Sequence, residues 1–170
     1  MKRLINFAIL LFAVATLSAQ GSFLTKQIEV HIEDLEQPAY AAVAFADSSD
    51  TYDLTKDTWS PIVNWVTAGS NDCTASSDTI TITKSGTYLI QATLAYQGSD
   101  ADTIHVSVLK NGTQVGCEST TETADYENVA VQEVLSLTQG DYITLGVMNE
   151  TDGGDVTVSS GSMYVRRIYY

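Results

Sequence analysis

Basic residues are scarce in this chain of 170 residues: 8 Lys and Arg stand against 21 Asp and Glu, a formal net charge of −13. A protein that binds nucleic acid needs a basic face to neutralise phosphates, and this composition excludes one. The same shortage excludes a purely electrostatic attachment to anionic lipid. The hydrophobic fraction of 44% is typical of a globular domain and too high for a disordered chain.

Residue types that commonly perform catalysis or bind transition metals are also few, with two His and two Cys. The chain has no Gly-x-Ser-x-Gly element, and His105 lies in a strand-like run with no nucleophile beside it in sequence. The alternation of that run predicts that His105 points outward, as a surface or subunit-contact residue. Paired carboxylates could hydrolyse a glycoside, but no signature singles out two of the 21 acids. We predict that the protein is not an enzyme.

Long hydrophobic runs are absent apart from one at the start of the chain. Lys2 and Arg3, an apolar stretch over residues 4–17 and small residues up to Gly21 are typical of a secretory signal peptide over residues 1–20. The stretch is shorter than the roughly 20 residues that cross a bilayer, so we expect no membrane span once it is removed. A retained membrane anchor or a buried N-terminal helix is the alternative. Residues 21–38 then form a stalk or oligomerisation leader, and the domain occupies residues 39–170.

The predicted export matters for the two cysteines, because disulfides form in oxidising compartments. Cys73 and Cys117 are an even pair, which can form one disulfide in an oxidising compartment. Free buried cysteines fit the sequence equally well. A zinc site is not expected, because no His or other Cys lies close to either residue in sequence.

From Ala39 onward the sequence is dominated by β-branched and aromatic residues in short alternating runs. Apolar residues alternate in the runs 79–84, 87–96, 103–110, 127–137 and 141–149, with Glu133 as the one misfit. Strict alternation predicts strands with one buried and one exposed face, as in an antiparallel sandwich. Turn residues separate the runs, and Asn111-Gly112 is the strongest tight-hairpin signal because both residues accept a positive φ. We predict an all-β jelly-roll sandwich of about ten strands, with no helix in the domain.

Four segments carry a family resemblance. Residues 85–90 (SGTYLI), 106–112 (VSVLKNG), 135–145 (LSLTQGDYITL) and 159–165 (SSGSMYV) resemble, in order and spacing, motifs of the complement component 1q globular head. The resemblance spans residues 41–168. It implies a tumour-necrosis-factor-like jelly roll that assembles as a homotrimer, of a type also found in secreted bacterial proteins and in phage virions. Apolar residues on outward faces, Leu89 and Leu109, agree with subunit contacts.

Acidic residues concentrate in alternate loops. If the strands follow one another as predicted, the loops 97–102, 119–126 and 149–155 emerge at one end, and 84–86, 110–112 and 138–140 at the other. Carboxylate oxygens at the first end suit calcium, which takes six to eight oxygen ligands; the candidates are Asp100, Asp102, Asp152 and Asp155. A solvated acidic rim that keeps the protein soluble is the alternative.

Trp59, in the loop 52–61, is the candidate for stacking against a ligand. The sequons at Asn111 and Asn149 would carry sugar only in a host that glycosylates asparagine.

Taken together, these features predict a secreted, non-enzymatic homotrimeric binding or adhesion module whose partner is an unknown protein, carbohydrate or particle surface. The alternative is a virion protein, a phage head fibre or capsid decoration trimer anchored through its N-terminal segment.

Overall fold

The computed structural model describes residues 38–45, 50–98, 102–123 and 126–169. The predicted signal peptide, the predicted leader up to residue 37, and Asp100 lie outside these ranges. Within them the chain forms twelve strands and no helix. The strands are β1 (Tyr40–Phe45), β2 (Asp50–Tyr52), β3 (Ser60–Pro61), β4 (Trp65–Asn71), β5 (Cys73–Ala75), β6 (Ile80–Ile82), β7 (Gly86–Gly98), β8 (Asp102–Lys110), β9 (Thr113–Thr123), β10 (Tyr126–Leu137), β11 (Tyr142–Asn149) and β12 (Val156–Tyr169).

Two antiparallel sheets form a sandwich. Sheet A has the order β10-β7-β12-β1-β4, with β2 paired to β12, and sheet B has the order β5-β6-β11-β8-β9, with β3 paired to β11. The chain crosses between the sheets at every connection from β2 to β5, from β6 to β8 and from β9 to β12. The predicted all-β sandwich is therefore confirmed. The additional strands are β2, β3 and β5, which are only two or three residues long and too short for an alternating pattern to mark.

The core lies between the sheets where the alternation places it. The even-numbered residues of β7 from Tyr88 to Tyr96 are each at most 3% exposed. Ile104, Val106 and Val108 of β8 meet them from sheet B and are no more than 1% exposed. Burying an aliphatic side chain of this size contributes about 1.5–3 kcal/mol, so this alternation supplies much of the stability of the sandwich.

The outward-pointing side chains of β8 are more deeply buried than the alternation predicts. His105, Ser107 and Leu109 point away from the core, yet Leu109 is only 1% and His105 only 7% exposed. Leu109 leans over Gly146 of β11, where a Cβ atom would lie 2.6 Å from Leu109 Cδ1. A glycine on the neighbouring strand therefore makes the space that buries this leucine. The expectation that Leu109 is exposed for subunit contact is wrong, whereas Leu89 is half-buried.

Glu133, the polar misfit of β10, faces Gly116 of β9. Gly116 has a φ of 74° and lies where the β8–β9 register shifts between Ser107 and Val108. A Cβ atom on Gly116 would clash with the Glu133 carboxylate. The bulge and the missing side chain together make room for a carboxylate in an otherwise apolar row.

The hairpin turn between β8 and β9 has the predicted geometry. Asn111 has a φ of 53° and Gly112 a φ of 80°, which are the two positive values of a tight hairpin turn. The Asn111 side chain also reaches the turn between β10 and β11: its Nδ2 donates to Asp141 Oδ1 at 2.8 Å, and its Oδ1 accepts from Tyr142 N–H at 2.9 Å. Asn111 thus links two turns that are separate in sequence.

Asp141 completes this link between the β8–β9 and β10–β11 turns. Its Oδ2 accepts hydrogen bonds from the Thr138 N–H at 2.8 Å and the Thr138 hydroxyl at 2.9 Å, and it pairs with Lys110 Nζ at 2.9 Å. The backbone bond from Thr138, the Asn111 amide and the Lys110 ammonium hold the pKa of Asp141 well below its usual range. The expectation that the loops 84–86, 110–112 and 138–140 share one end is supported by this cluster and by the bond from Gln139 N–H to Ser85 Oγ at 3.0 Å.

Gly112→Val should destabilise the protein by roughly 1 kcal/mol or more, because a β-branched residue resists a φ of 80°. The measurement is the free energy of unfolding in urea. Gly69→Val is the control, at a glycine of β4 without a positive φ, where a Cβ atom would meet only Tyr40 at an ordinary contact distance of 3.9 Å. Equal midpoints for Gly112→Val and the natural sequence would contradict the turn assignment.

Asp141→Asn should lower stability at pH 7 by roughly 2 kcal/mol, because hydrogen bonds to a charged acceptor are lost. The folded pKa of Asp141 is depressed, so its contribution is complete above the unfolded value of about 3.9 and is lost as the pH falls below that value. The variant should consequently lose less stability between pH 5 and pH 3 than the natural sequence does. Asp155→Asn, at an exposed carboxylate, is the matched control. Parallel pH profiles for Asp141→Asn and the natural sequence would refute this role.

Candidate functional site

Three segments meet at the end of the sandwich opposite the Asp141 cluster. They are the loop 53–59, the start of β8 at residues 102–105, and the loop 150–155 with the end of β11. Glu150 N–H donates to Thr103 O at 2.9 Å, Thr103 N–H donates to Thr151 Oγ1 at 2.8 Å, and Asp57 N–H donates to Asn149 O at 2.9 Å. We call this end the acidic pole.

The predicted convergence of the loops 97–102, 119–126 and 149–155 at one end is supported by the described residues in and beside them. Residues 149–155 contact Asp102 and Thr103 at the end of the loop 97–102. The segment 119–126 is mostly strand, but it lies at the same end, because Thr123 of β9 pairs with Asp102 and Tyr126 of β10 pairs with Gln97. Residues 124–125 lie outside the described ranges.

Asn149 organises the acidic pole. Its side chain is fully buried, and its Oδ1 accepts hydrogen bonds from Thr151 N–H at 2.9 Å and Asp152 N–H at 3.2 Å. Its Nδ2 donates to Asp102 Oδ2 at 3.0 Å, to Gly154 O at 3.3 Å and to Asp152 Oδ1 at 3.4 Å. One amide therefore satisfies the backbone of the loop and holds two carboxylates.

The sequence does not predict the role of Asn149, which stands there only as part of a sequon. Its complete burial leaves the Nδ2 atom inaccessible to glycosylation in the folded chain. A usable signal was the position of an asparagine at the end of an apolar run, followed by Asp152-Gly153-Gly154. Asparagine side chains often bond the backbone two residues further on, and glycines then permit the tight return.

The four predicted calcium ligands are only partly brought together. Asp102 is 2% exposed and Asp152 accepts hydrogen bonds from the same amide and from Gly154 N–H at 2.6 Å. Asp155 is exposed, and Asp100 lies outside the described residues. Among the residues that the structure describes, no group of three or more His, Cys, Asp or Glu side chains is placed to hold a metal ion. Calcium binding stays a prediction.

His105 and Glu150 are hydrogen-bonded at the same pole. His105 Nε2 lies 2.7 Å from Glu150 Oε2, with 9% of the histidine side chain and 58% of the glutamate side chain exposed. The imidazole is therefore a buried support for an accessible carboxylate. The expectation that His105 is a surface residue is corrected accordingly: it lies on the outward face but is covered.

Trp59 is held beside this pole by its loop. A turn closes with Thr58 N–H donating to Thr55 O at 3.1 Å, and Lys56 Nζ donates to Thr151 O at 3.1 Å. Trp59 is half-buried and belongs to no part of the core. Trp65, by contrast, is 4% exposed, stacks edge-on with Phe45 and donates from its indole to Ile62 O at 2.7 Å. The structure thus separates a core tryptophan from one available to a ligand.

Comparisons with solved structures identify this architecture. Murine APRIL at pH 5.0 superposes with a TM-score of 0.56 at 14% identity, covering 76% of this chain and 99% of the other. The Eiger TNF from S. frugiperda superposes with a TM-score of 0.54 at 16% identity, covering 78% of this chain and 94% of the other. The chain has a tumour-necrosis-factor-like jelly-roll fold. No protein-family profile and no curated protein matches its sequence.

The two cysteines are not placed to form the disulfide that the sequence allowed. Cys73 is a buried free thiol. It lies in β5, whereas Cys117 lies in β9, and these strands are opposite edges of sheet B. Four strand spacings separate them by roughly 19 Å at about 4.8 Å each, and a disulfide requires Cα atoms within about 7 Å. Burial raises the pKa of the Cys73 thiol, which makes it less reactive.

Across the described ranges no helix has the length and apolar character to cross a membrane.

The calcium hypothesis has a direct test. If calcium binds the folded acidic pole, a hundredfold excess over the dissociation constant should raise stability by about 2.7 kcal/mol per site. The melting temperature is compared in calcium chloride and in sodium chloride of equal ionic strength, which controls for screening. Asp152→Asn combined with Asp155→Asn should abolish the calcium increment. Equal shifts in the two salts would leave only a solvated acidic rim, and an undiminished increment in the double variant would place the ion elsewhere.

Proposed function

We propose that the tumour-necrosis-factor-like domain is a secreted, non-enzymatic homotrimeric binding or adhesion module. The observation that carries this proposal is the outward face of sheet A, which has almost no charge. Side chains that point outward from β10, β7, β12, β1 and β4 are neutral except for Arg166. They include Tyr126, Asn128, Ala130, Gln132, Val134, Leu89, Gln91, Thr93, Ala95, Ser160, Ser162, Tyr164, Tyr40, Ala42, Ala44 and Val66.

Contacts within this face show that its side chains form one continuous surface. Gln91 bonds Gln132 across the β7–β10 pair at 3.0 Å, and Thr93 bonds Ser162 across the β7–β12 pair at 3.0 Å. The rings of Tyr40 and Tyr164 lie 6.3 Å apart across the β1–β12 pair. A shallow groove of about 440 Å³ runs between β7, β10 and β12. Large residues are exposed here too, with Val66 and Val134 each 55% exposed.

The absence of carboxylates from this face has a physical meaning in so acidic a chain. Like charges that face one another across an interface cost on the order of several kcal/mol. Copies of a chain with a net charge of −13 are therefore expected to meet where the surface carries no acidic side chains. The outward face of sheet A meets that condition over five strands. Together with the trimer that the sequence resemblance implies, this supports self-association through sheet A.

A non-enzymatic role is supported by the state of the groups that could catalyse. The acidic pole holds His105 against Glu150 and Asp102 against Asn149, and both His105 and Asp102 are buried. Secretion rests on the predicted signal peptide. The virion alternative would retain that segment as an anchor, so the intact mass of the isolated chain distinguishes the two.

The proposed trimer is tested by the ratio of the particle mass to the chain mass. The full chain is expressed in a secreting host, and the particle mass from light scattering is divided by the chain mass from mass spectrometry. A ratio of three is expected whether or not the leader is removed. A ratio of one at micromolar concentration would overturn the proposal.

Gln91→Glu tests the face itself. The substitution preserves size but places a carboxylate on every copy at the proposed interface, so the ratio should fall below three at micromolar concentration. Gln139→Glu is the matched control, because this exposed glutamine lies in the turn between β10 and β11 and not on the outward face of sheet A. Equal ratios for the two variants would exclude the outward face of sheet A as the interface.

A further inference from the structure

A transverse row of side chains crosses the outward face of sheet B beside the acidic pole. Strand β3 pairs with β11 through Pro61 with Gly146 and Ser60 with Val147. The antiparallel register places the preceding residue, Trp59, level with Met148, and Met148 pairs in turn with His105 of β8. Val147 is buried in the core, so Met148 and its neighbours in the row face outward.

The row combines an apolar end with an anionic end. Trp59 and Met148 are both half-buried and lie outside the core cluster. No hydrogen bond or ring contact to Trp59 is formed by the described residues. At the other end, His105 fixes the exposed carboxylate of Glu150 at 2.7 Å. Two strand spacings, roughly 10 Å, separate the backbone positions of Trp59 and His105.

We propose that this row binds an arginine or lysine side chain of a partner peptide. The aliphatic stem would lie along Trp59 and Met148, and the cationic head would pair with Glu150. A tryptophan face is the strongest aromatic partner of a cation, and long basic side chains bury their stems on apolar surface while their charge stays in water. The proposal rests on the binding role stated above and names the class of partner.

Charge complementarity favours a cation over a neutral ligand at this row. The loop that carries Trp59 also carries Asp53 and Asp57, both exposed, and its single basic residue, Lys56, donates to Thr151 O. The surroundings of the indole are therefore anionic. The row lies on sheet B, so a trimer that uses the outward face of sheet A would leave it accessible on every copy.

The test is fluorescence anisotropy of a fluorescein-labelled pentaarginine peptide with the full chain at 150 mM salt. Trp59→Ala and Glu150→Gln should each weaken binding about tenfold, while Glu150→Asp, which keeps the charge, should retain most of it. Two matched controls should leave affinity within twofold. Asp155→Asn removes an exposed carboxylate outside the row, and Tyr142→Ala removes an exposed aromatic ring at the opposite end of the sandwich.

Several outcomes would overturn the proposal. If Asp155→Asn weakens binding as much as Glu150→Gln, the peptide is attracted by general charge alone. If Trp59→Ala leaves affinity unchanged in a variant whose melting temperature is preserved, the row is not the site. If an uncharged oligosaccharide such as maltoheptaose displaces the labelled peptide, Trp59 binds carbohydrate and not a basic side chain. Light scattering on the same variants shows whether the trimer persists, so failure here is distinguishable from failure of the assembly proposal.

Discussion

The acidic pole depends on the buried side-chain amide of Asn149. A buried amide must use its donors and acceptor, because leaving them unpaired costs about 1–3 kcal/mol each. Here the amide oxygen takes two backbone N–H groups of the following loop, and the amide nitrogen reaches Asp102 on β8. The backbone oxygen of the same residue accepts from Asp57, which brings in the loop that carries Trp59. Three segments distant in sequence are positioned by one residue.

At the opposite end of the sandwich, a charged side chain organises the loops. Asp141 is an ionised acceptor that receives the Thr138 backbone, the Asn111 amide and the Lys110 ammonium. Hydrogen bonds to a charged group are stronger than neutral ones, so these bonds offset the burial of the Asp141 carboxylate, which is 8% exposed. The acidic pole is organised by a neutral, fully buried amide, which donates to the buried carboxylate of Asp102. Together the two clusters fix both ends of the β8–β11 pair.

Charge is distributed unevenly over the two sheets, and the proposed trimer contact and the proposed partner site lie on opposite sides of this division. Sheet A presents a neutral outward face suited to meeting its own copies, whereas loops at the end of sheet B carry exposed carboxylates. A strongly acidic protein can associate with itself only by keeping acids away from the contact. The proposed cationic partner would meet the exposed carboxylates at Glu150 and its neighbours.

Local pattern determined the strands that cross the core and the Asn111-Gly112 turn, because alternation and positive φ are properties of neighbouring residues. The strand order also predicted that the acidic loops lie at one end of the sandwich, and the structure brings part of them together. Tertiary structure alone decided the rest. Leu109 is buried because Gly146 stands beside it on another strand, and Cys73 cannot reach Cys117 because their strands are opposite edges of one sheet. The roles of Asn149 and Asp141 likewise depend on partners remote in sequence, since a hydrogen-bonding side chain reveals its function only when the fold supplies the groups it bonds.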